Sequence, residues 1–447
     1  MFVIPFFCYL CICNMNVMKI RLFFSGLWLM MAKLCMAQIC GCTDPLAINY
    51  DSSAALNDGS CMYETTTIDT NVIGTLNTQT EGSSSLFYWN NGYWTYNDHN
   101  DNCLYRIDST NAAILETLCI NGLNNFDTEE ISQDSLYLYF GDIGNNSGSR
   151  RDLHILRISK ESMLNHTFEM DTIAFSYEDQ TDFSPQPQNT DFDCEAFIVG
   201  RDSIYLFTKQ WASAQTTIYS LPKTPGHHLA RRGNTYNVNG LITGASFLPE
   251  YQLAVLCGYD YDRENLLTAL HPFIFLLYDF QEDNFFSGNK RRIDFDYSTR
   301  AQVEAIATHN ALDYYITSEH YATTVMGFNI DFPAQLQRLD LRTYLLPYLS
   351  RFGVSDNPNT ILNSDDPESD FRLYPNPTYD QLYLDYPQEY LGAKYEIFNL
   401  NGQKVAEGIL KDKSISMNIN GLSSGKYILL LRMNGEMRNF TFIKKEK

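Results

Sequence analysis

A short segment recurs along the chain. Phe126-Asp127-Thr128-Glu129-Glu130-Ile131 returns as Phe192-Asp193-Cys194-Glu195-Ala196-Phe197 and as Ala301-Gln302-Val303-Glu304-Ala305-Ile306. In each copy a glutamate with a small or acidic neighbour precedes an apolar residue, and a strand-like run follows. Two degenerate copies fit the same frame, at residues 83–86 (Ser-Ser-Ser-Leu) and 243–246 (Thr-Gly-Ala-Ser). A segment that returns every few dozen residues indicates a repeat architecture.

The stretch around these copies is predicted to be a β-propeller. From about residue 68 to 346 each repeat supplies four short runs rich in Tyr, Phe, Ile and Val, separated by turns, as a propeller blade requires. We count five repeats, and the long spacings 129–195 and 244–304 leave room for a sixth. The fold class is therefore all-β, with a five- or six-bladed propeller over residues 65–350. We expect Thr67 to Leu76 to supply a strand that closes the ring, since a propeller must suppress its open edge.

The propeller region also resembles known proteins. The run Asp142-Ile143-Gly144-Asn145-Asn146 is similar to that of a group of secreted propellers. More loosely, the region resembles phytase-like and SdiA-regulated propellers. The resemblance implies a fold and leaves the activity open.

Strand parity gives the recurring glutamates a location. In an up-and-down blade, the connection into strand one and the loop between strands two and three lie on the same face. Glu129, Glu195 and Glu304 should therefore ring one mouth of the central channel. The loops between strands two and three should bring further polar residues to that face: Asp98, His99, Asp142, Asn145, Asn146, Lys209, Asp260, Glu319 and His320.

Converging carboxylates repel one another unless a cation or raised pKa values compensate. Calcium, which prefers oxygen ligands, is the natural cation. The predicted ligand or metal site at the channel mouth comprises Glu129, Glu195, Glu304, Asp142 and Asn145. In an alternative interpretation, each glutamate accepts hydrogen bonds from backbone amides of the neighbouring blade. Such a contact, a staple, only holds two blades of the ring together.

Composition and motifs narrow the function classes. The chain has 32 Lys plus Arg against 53 Asp plus Glu, a net charge of −21, which argues against a nucleic-acid partner. The favoured interpretation is a propeller that binds an unknown extracellular ligand or scaffolds contacts without chemistry. The alternative is a calcium-dependent hydrolase of phosphoesterase or lactonase type at the channel mouth, with Glu195 or His320 as the general base. The G-x-S-x-G pattern at 421–425 lies among short strands and is interpreted as a turn.

The N-terminus has the pattern of a secretory signal peptide. Lys19 and Arg21 precede an apolar run from Leu22 to Met31, and Ala37 offers a cleavage site. We predict a signal peptide over residues 1–37, with translation starting at Met18. The alternative, a membrane anchor over residues 2–31, is interrupted by the two basic residues. No later segment is long and apolar enough to span a bilayer, so we expect no transmembrane segment after signal removal.

Residues 38–64 resemble the short Cys-Thr-Asp-Pro…Asp-Gly-Ser-Cys modules of secreted bacterial surface proteins. Because some 20 residues cannot bury a core, we expect a disulfide, Cys42–Cys61, to close the loop. Asp44, Asp51 and Asp58 are candidate calcium ligands, or else simple turn formers. A second disulfide, Cys103–Cys119, is predicted across a hairpin.

The C-terminus follows a polar linker at 351–370. Alternating strands over 371–447 predict a small β-sandwich. This region resembles the type A C-terminal sorting domain of the type IX secretion system, through the residues Tyr374, Pro375, Asn376, Pro377, Gly425, Tyr427, Lys444 and Lys445. The resemblance implies export through the type IX machinery of a Gram-negative bacterium, to the medium or the outer cell surface.

Overall fold

The computed structural model describes residues 39–261, 270–296, 299, 301–325 and 327–354, and in the C-terminal region 372–374, 378–386, 390–399, 403–411, 414–433 and 436–445. The predicted signal peptide and most of the predicted linker lie outside the described residues. Within the described part, no helix has the length and apolar character needed to cross a membrane.

The N-terminal module is closed by the predicted disulfide between Cys42 and Cys61. Its strands β1 (Cys40–Gly41) and β2 (Leu56–Asn57) pair in parallel. The module contacts the propeller through Asp44, whose Oδ2 accepts hydrogen bonds from the hydroxyls of Tyr63 (2.7 Å) and Tyr278 (2.5 Å). The module is therefore attached to the propeller by hydrogen bonds that a buried carboxylate accepts.

Two short strands, β3 (Thr67–Ile68) and β4 (Asn71–Thr75), lead into the propeller. Sixteen strands then make up the first four blades. Blade 1 contains β5 (Ser83–Trp89), β6 (Gly92–Asn97), β7 (Cys103–Ile107) and β8 (Ile114–Cys119). Blade 2 contains β9 (Thr128–Gln133), β10 (Tyr137–Asp142), β11 (His154–Ser159) and β12 (Met170–Tyr177). Blade 3 contains β13 (Asp193–Val199), β14 (Ser203–Lys209), β15 (Thr216–Pro222) and β16 (Gly226–Tyr236). Blade 4 contains β17 (Leu241–Leu248), β18 (Leu253–Tyr261), β19 (Leu270–Tyr278) and β20 (Asn289–Phe295).

Blade 5 is completed from the other end of the region. Its sheet has the order β21 (Val303–Thr308), β22 (Asp313–Ser318), β25 (Gln335–Asp340) and then β4. The predicted closing strand is thus confirmed, because β4 pairs antiparallel with β25. Strand β3 adds to blade 4 in parallel with β20, and the outer strands β12 and β16 pair in parallel, joining blades 2 and 3 into one eight-stranded sheet.

One segment of blade 5 differs from expectation. The strand-like run at residues 325–330 predicts the third strand of the blade. They instead belong to an extra hairpin of β23 (Tyr321–Val325) and β24 (Phe328–Phe332), whose strands pair with each other. The reason is that β25 already pairs with both β22 and β4, which leaves the hairpin no place in the sheet.

The five innermost strands close a ring. Each of β5, β9, β13, β17 and β21 lies beside the next, and β21 lies beside β5. The fold is an all-β propeller, and the described residues form five blades. Apolar side chains fill the space between neighbouring blades, as where Leu253 and Ile274 of blade 4 meet Ile306 and Ile316 of blade 5.

Every innermost strand carries one β-bulge near its start, at the position that recurs in the sequence. The unpaired residues are Ser84, Glu129, Glu195, Thr243 and Glu304. A bulge leaves one residue out of the strand ladder and re-aims its side chain. The recurring segment is therefore the place where each blade turns one side chain away from its own sheet.

Local chemistry explains the regularity of blade 1. Asn90 and Asn91 have φ values of 48° and 59°, the left-handed conformation that a two-residue hairpin turn requires and that Asn tolerates. Cys103 lies directly opposite Cys119 across β7 and β8, and the two form the predicted disulfide. The other two cysteines of the propeller, Cys194 and Cys257, are buried thiols, as expected.

Helical structure is sparse. Helix α1 (Lys160–Leu164) follows β11, and α2 (Arg342–Leu349) follows β25. The described residues also include 3-10 turns at Thr78–Thr80, Pro249–Tyr251, Phe285–Ser287 and Ser350–Phe352.

The C-terminal region is the predicted β-sandwich. One sheet contains β26 (Arg372–Tyr374), β27 (Gln381–Asp385) and β30 (Ser414–Asn418). The other contains β28 (Lys394–Asn399), β29 (Lys404–Ile409), β31 (Gly425–Met433) and β32 (Glu436–Lys444). Leu382 and Leu384 from the first sheet meet Leu429, Leu431 and Phe442 from the second in a continuous core.

Candidate functional site

The five bulge residues fall into two chemical groups. Ser84 donates a hydrogen bond to the carbonyl of Thr128 (2.7 Å), and Thr243 donates one to the carbonyl of Val303 (2.6 Å). In both cases the acceptor lies immediately before the bulge residue of the next blade. The two hydroxyl residues therefore staple neighbouring blades, while the three glutamates are turned toward the central channel.

Glu130, the residue after a bulge, provides a third staple. Its Oε2 accepts a hydrogen bond from the backbone N–H of Ala245 in blade 4, and its Oε1 accepts one from Ile131, both at 2.9 Å. Because Glu130 belongs to blade 2, this contact spans the ring past blade 3. Stapling by glutamate, which the sequence analysis considered for Glu129, Glu195 and Glu304, is thus carried out by their neighbour Glu130.

A cavity of about 260 Å³ lies at one mouth of the channel. The three glutamates line it, as strand parity predicted. Its other lining residues come from the loops and strand ends around that mouth: Asp98, Asp127, Asn146, Gln188, Lys209, Trp211, Tyr259, Tyr261, Leu270, Gln302, Glu319 and Tyr321. Six carboxyl groups therefore face a single lysine in this cavity.

Lys209 is the cation at the centre of this arrangement. Its Nζ lies 2.5 Å from Oε2 of Glu195, and the two side chains are only 3% and 5% exposed. Burial on its own would lower the pKa of the Lys209 ammonium, but Glu195 and the surrounding acidic groups outweigh it and raise the pKa. Lys209 therefore stays charged and neutralises one carboxylate of the ring.

Of the remaining carboxyl groups, Asp98 contacts His99 (2.6 Å) and Asp127 lies 3.9 Å from Arg150, but neither has a fully buried cation beside it as Glu195 does. Glu304 accepts a hydrogen bond from Gln302 (2.6 Å) and shares one with Glu195. Burial raises the pKa of Glu304 to about 7 and, with Asp98 adding repulsion, that of Glu319 to about 8. Burial also raises the pKa of Asp127 to about 6, although Arg150 opposes this shift. The cavity thus holds protons that a bound cation could displace.

Glu129 has the least compensated side chain. It is 8% exposed, lines the cavity, and has no hydrogen bond or ion pair within the described part of the chain. Burial, with the nearby carboxylates of Glu195 and Asp127, raises the pKa of Glu129 well above its usual range. Because Glu129 lines the cavity, its carboxyl group is available to pair with a molecule that binds there.

Aromatic side chains form another part of the lining, the aromatic wall. Trp211, Tyr261 and Tyr321 pack around the buried residues Tyr259 and Leu270. The Lys209 ammonium lies 4.8 Å from the ring centroid of Trp211 and 5.3 Å from that of Tyr259. The cavity therefore combines an acidic side, a fixed ammonium group and an aromatic wall.

A buried carboxylate orients the tryptophan. Asp193 is fully buried, and its Oδ2 accepts a hydrogen bond from the Trp211 indole (2.8 Å). Its Oδ1 accepts bonds from the backbone N–H groups of Asn145 (2.6 Å) and Cys194 (3.0 Å). The ring of Trp211 is thus pre-oriented before any ligand arrives, which lowers the entropy cost of binding.

Several predicted site residues lie elsewhere. Asp142 forms an ion pair with Arg150 (2.5 Å), and Asn145 bonds to the carbonyl of Phe192 and the N–H of Arg150. These two residues shape a loop and do not line the cavity. His320 is half-exposed and contacts Asp331 of the hairpin (2.9 Å), also outside the cavity.

The aspartates of the N-terminal module are not gathered around one point. Asp44 receives the two tyrosine hydroxyls described above, Asp51 accepts bonds from Ser53, and Asp58 accepts one from Ser60. Among the residues that the structure describes, no group of three or more His, Cys, Asp or Glu side chains is placed to hold a metal ion. Calcium binding by this module stays a prediction.

The aromatic wall is not among the site residues predicted from the sequence. Trp211 lies two residues after Lys209, Tyr259 and Tyr261 lie at the end of β18, and Tyr321 follows Glu319 by two. Strand parity places these aromatic residues at the same mouth as Lys209 and Glu319. Their proximity in sequence to those charged residues is the signal that indicates them.

Comparison with known protein families identifies the end of the chain. Residues 372–445 match the secretion system C-terminal sorting domain. The C-terminal β-sandwich is a type IX sorting domain. Within the sorting domain, Gly425 and Tyr427 lie in β31, where Tyr427 stacks on Phe442 with ring centroids 5.5 Å apart. Tyr374 and Lys444 end β26 and β32, and the N–H of Lys445 bonds to Thr378. Residues 375–377 lie outside the described residues.

The sorting domain indicates export by type IX secretion and therefore a secreted or cell-surface protein. None of the curated protein sequences compared with the chain matches it.

Several solved structures are similar to the chain at low identity. The glutaminyl cyclase of Myxococcus xanthus is 10% identical, with a TM-score of 0.37, over 62% of this chain and 99% of that one. PorZ of Porphyromonas gingivalis, a surface component of the type IX secretion system, is 12% identical, with a TM-score of 0.23, over 81% of this chain and 44% of that one. The extracellular domain of BT4673 from B. thetaiotaomicron is 11% identical, with a TM-score of 0.28, over 86% of this chain and 58% of that one. This chain thus spans about half the length of the last two proteins.

Proposed function

We propose that this chain is an extracellular ligand-binding propeller, delivered by the type IX secretion machinery, which holds a small ligand in the cavity at the channel mouth. The observation that carries the proposal is Glu129, a buried residue whose carboxyl group faces the cavity with no hydrogen bond or ion pair from the residues that the structure describes. An unpaired buried carboxyl group destabilises the folded protein. A ligand that pairs with it would give the residue a function that offsets this cost.

The form of the cavity supports the proposal. Small-molecule sites are concave and are lined by aromatic groups with a few fixed polar ones. Here Trp211 is held by Asp193, and Lys209 is held by Glu195. The volume of about 260 Å³ lies just below the roughly 300–1,000 Å³ of drug-sized pockets. The ligand is therefore small.

Calcium fits this cavity poorly. The Lys209 ammonium lies among the carboxylates where a calcium ion would need oxygen ligands, and one whole wall is aromatic. We therefore derive no calcium-dependent hydrolysis at this mouth. A second candidate function, acid–base chemistry on the bound ligand, is favoured by one observation: burial raises the pKa of Glu304 to about 7, which suits a proton-transferring group. Turnover of a bound compound that is lost in Glu304→Gln would support this second candidate.

Ligand binding is tested with the mature chain, residues 38–447. A panel of small amines, alcohols, carboxylates and sugars is screened by calorimetric titration against the unchanged protein and against Trp211→Ala. We expect a subset of compounds to bind the unchanged protein and to lose at least tenfold in affinity in Trp211→Ala. Control measurements use Trp94→Phe, because Trp94 is buried in blade 1, away from the cavity. Binding that is unchanged in Trp211→Ala would contradict the proposed site.

Export is tested separately. A chain truncated after Ser364 should be synthesised and reach the periplasm but not the medium or the outer surface. Fractionation with an antibody against the propeller measures this directly. Appearance of the truncated chain outside the cell would show that the sorting domain is dispensable.

A further inference from the structure

The charges in the channel-mouth cavity identify the kind of ligand it takes. Six carboxyl groups line the cavity: Asp98, Asp127, Glu129, Glu195, Glu304 and Glu319. The only cationic side chain among its described lining residues is Lys209, which is already engaged by Glu195. A ligand that brings a positive charge would therefore reduce the repulsion among the remaining carboxylates, whereas an anionic ligand would increase it.

The position of Glu129 also favours a positively charged ligand. Its carboxyl group faces the cavity with no hydrogen bond or ion pair from the described residues. Glu319, which also lines the cavity, instead accepts a hydrogen bond from Gln302 (3.1 Å). A carboxylate that opens onto a small cavity can accept a hydrogen bond from an N–H donor, and charge-assisted hydrogen bonds of this type are the strongest ones that proteins form.

The aromatic wall distinguishes an organic cation from a metal ion. A bare divalent cation would gain little from the rings of Trp211, Tyr259 and Tyr321, because hard cations prefer oxygen ligands. An organic ammonium group is attracted by the faces of such rings, and its carbon skeleton packs against them. Lys209 itself demonstrates the compatibility, since its ammonium already lies within 4.8 Å of the Trp211 ring centroid.

We infer that the cavity binds a small organic ammonium compound, with its cationic nitrogen at Glu129 and its apolar body against Trp211 and Tyr321. This inference rests on the proposed ligand-binding function and specifies the ligand class. A primary amine with a short aromatic or aliphatic body matches both the volume and the two-sided lining.

The test uses matched probes that differ only in charge. Benzylamine, benzyl alcohol and benzoate have nearly the same shape and are cationic, neutral and anionic at pH 8. Calorimetric titration of the mature chain should give at least tenfold tighter binding of benzylamine than of benzyl alcohol, and the weakest binding for benzoate. Calcium chloride at millimolar concentration should not displace benzylamine.

One substitution, with a matched control, tests where the cationic nitrogen binds. Glu129→Gln keeps the shape of the side chain and removes its charge, so benzylamine should bind at least tenfold more weakly while benzyl alcohol binds unchanged. The same variant should unfold at a higher temperature than the unchanged chain at pH 8, because an unpaired buried carboxyl group has been neutralised. Glu116→Gln, an exposed acid of blade 1, is the matched control and should alter neither probe.

The outcomes separate the inference from the proposed function. If benzyl alcohol binds as tightly as benzylamine and both depend on Trp211, ligand binding stands and the ammonium inference is overturned. If calcium displaces benzylamine, or binds in its place with loss in Glu129→Gln, the ligand is a metal and the inference is again overturned. If no probe binds at millimolar concentration, both the inference and the proposed function fail.

Discussion

The buried ion pair between Lys209 and Glu195 gives the sharpest prediction about stability. In Lys209→Met the apolar stem is kept and the charge is lost, so Glu195 remains as an unpaired carboxylate that is 5% exposed. Breaking a buried pair in this way costs about 3–5 kcal/mol. Burial raises the folded-state pKa of Glu195 above its unfolded value although Lys209 opposes the shift, and removing Lys209 raises this pKa further, so the penalty is largest at high pH. The loss of stability becomes smaller as pH falls, because Glu195 then takes up a proton. The decrease is up to about 2.7 kcal/mol over two pH units.

Urea unfolding at pH 7.5 and 5.5 measures both quantities. Tryptophan fluorescence reports on the propeller alone, because Trp89, Trp94 and Trp211 lie in it and the sorting domain contains no tryptophan. Adding Glu195→Gln to Lys209→Met should restore most of the lost stability at pH 7.5. As a matched control, Lys223→Met removes a lysine that also lies 2.5 Å from its carboxylate but is 20% exposed, and it should cost about 1 kcal/mol. Equal destabilisation by Lys209→Met at both pH values, without rescue by Glu195→Gln, would refute the charge-compensation reasoning.

Three further predictions concern the scaffold. Glu130→Leu leaves the N–H groups of Ala245 and Ile131 without their acceptors and should cost about 1–3 kcal/mol for each buried group left unpaired. Glu130→Gln keeps one of the two acceptor oxygens and should cost less than Glu130→Leu. Urea unfolding compares the two variants, and equal losses would exclude the staple. Cys119→Ser opens the Cys103–Cys119 disulfide, which spans 16 residues, and should lower the free energy of unfolding by about 3 kcal/mol. An unchanged melting temperature would contradict this expectation. Asp44→Ala removes the hydrogen-bond acceptor of Tyr63 and Tyr278 and should make residues 38–64 accessible to limited proteolysis. Asp58→Ala, at an exposed turn, is the control. Equal cleavage of both variants would show that Asp44 does not hold the module on the propeller.

Much of the fold followed from the sequence because the signals are local. Alternating apolar residues, turn residues and the recurring glutamate segment each depend on a few neighbouring positions, and together they indicated blades, a closing strand and two disulfides. The hairpin of Tyr321–Val325 and Phe328–Phe332 was assigned wrongly for a physical reason. Its residues have strand character, and only the long-range pairing of β25 with β4 decides that they stay outside the blade.

The site was predictable in part. Strand parity predicts that one mouth of the channel is lined by Glu129, Glu195, Glu304, Lys209 and Glu319. In the structure these residues lie there. Which of these residues forms an ion pair and which accepts a hydrogen bond from another blade depends on distances that no local pattern encodes. Whether Lys209 reaches Glu195, and whether the staple is Glu129 or Glu130, is decided by the bulge geometry and the ring diameter. Asp142 was misassigned because no local pattern shows that it pairs with Arg150, eight residues later.

A crystal structure of the mature chain grown with benzylamine at pH 8 tests the central claim most directly. We predict density for the ring against Trp211 and for the ammonium nitrogen within hydrogen-bond distance of a Glu129 carboxylate oxygen. A cavity without the amine, in which Glu129 instead contacts Lys209 or a backbone N–H group, would contradict the account.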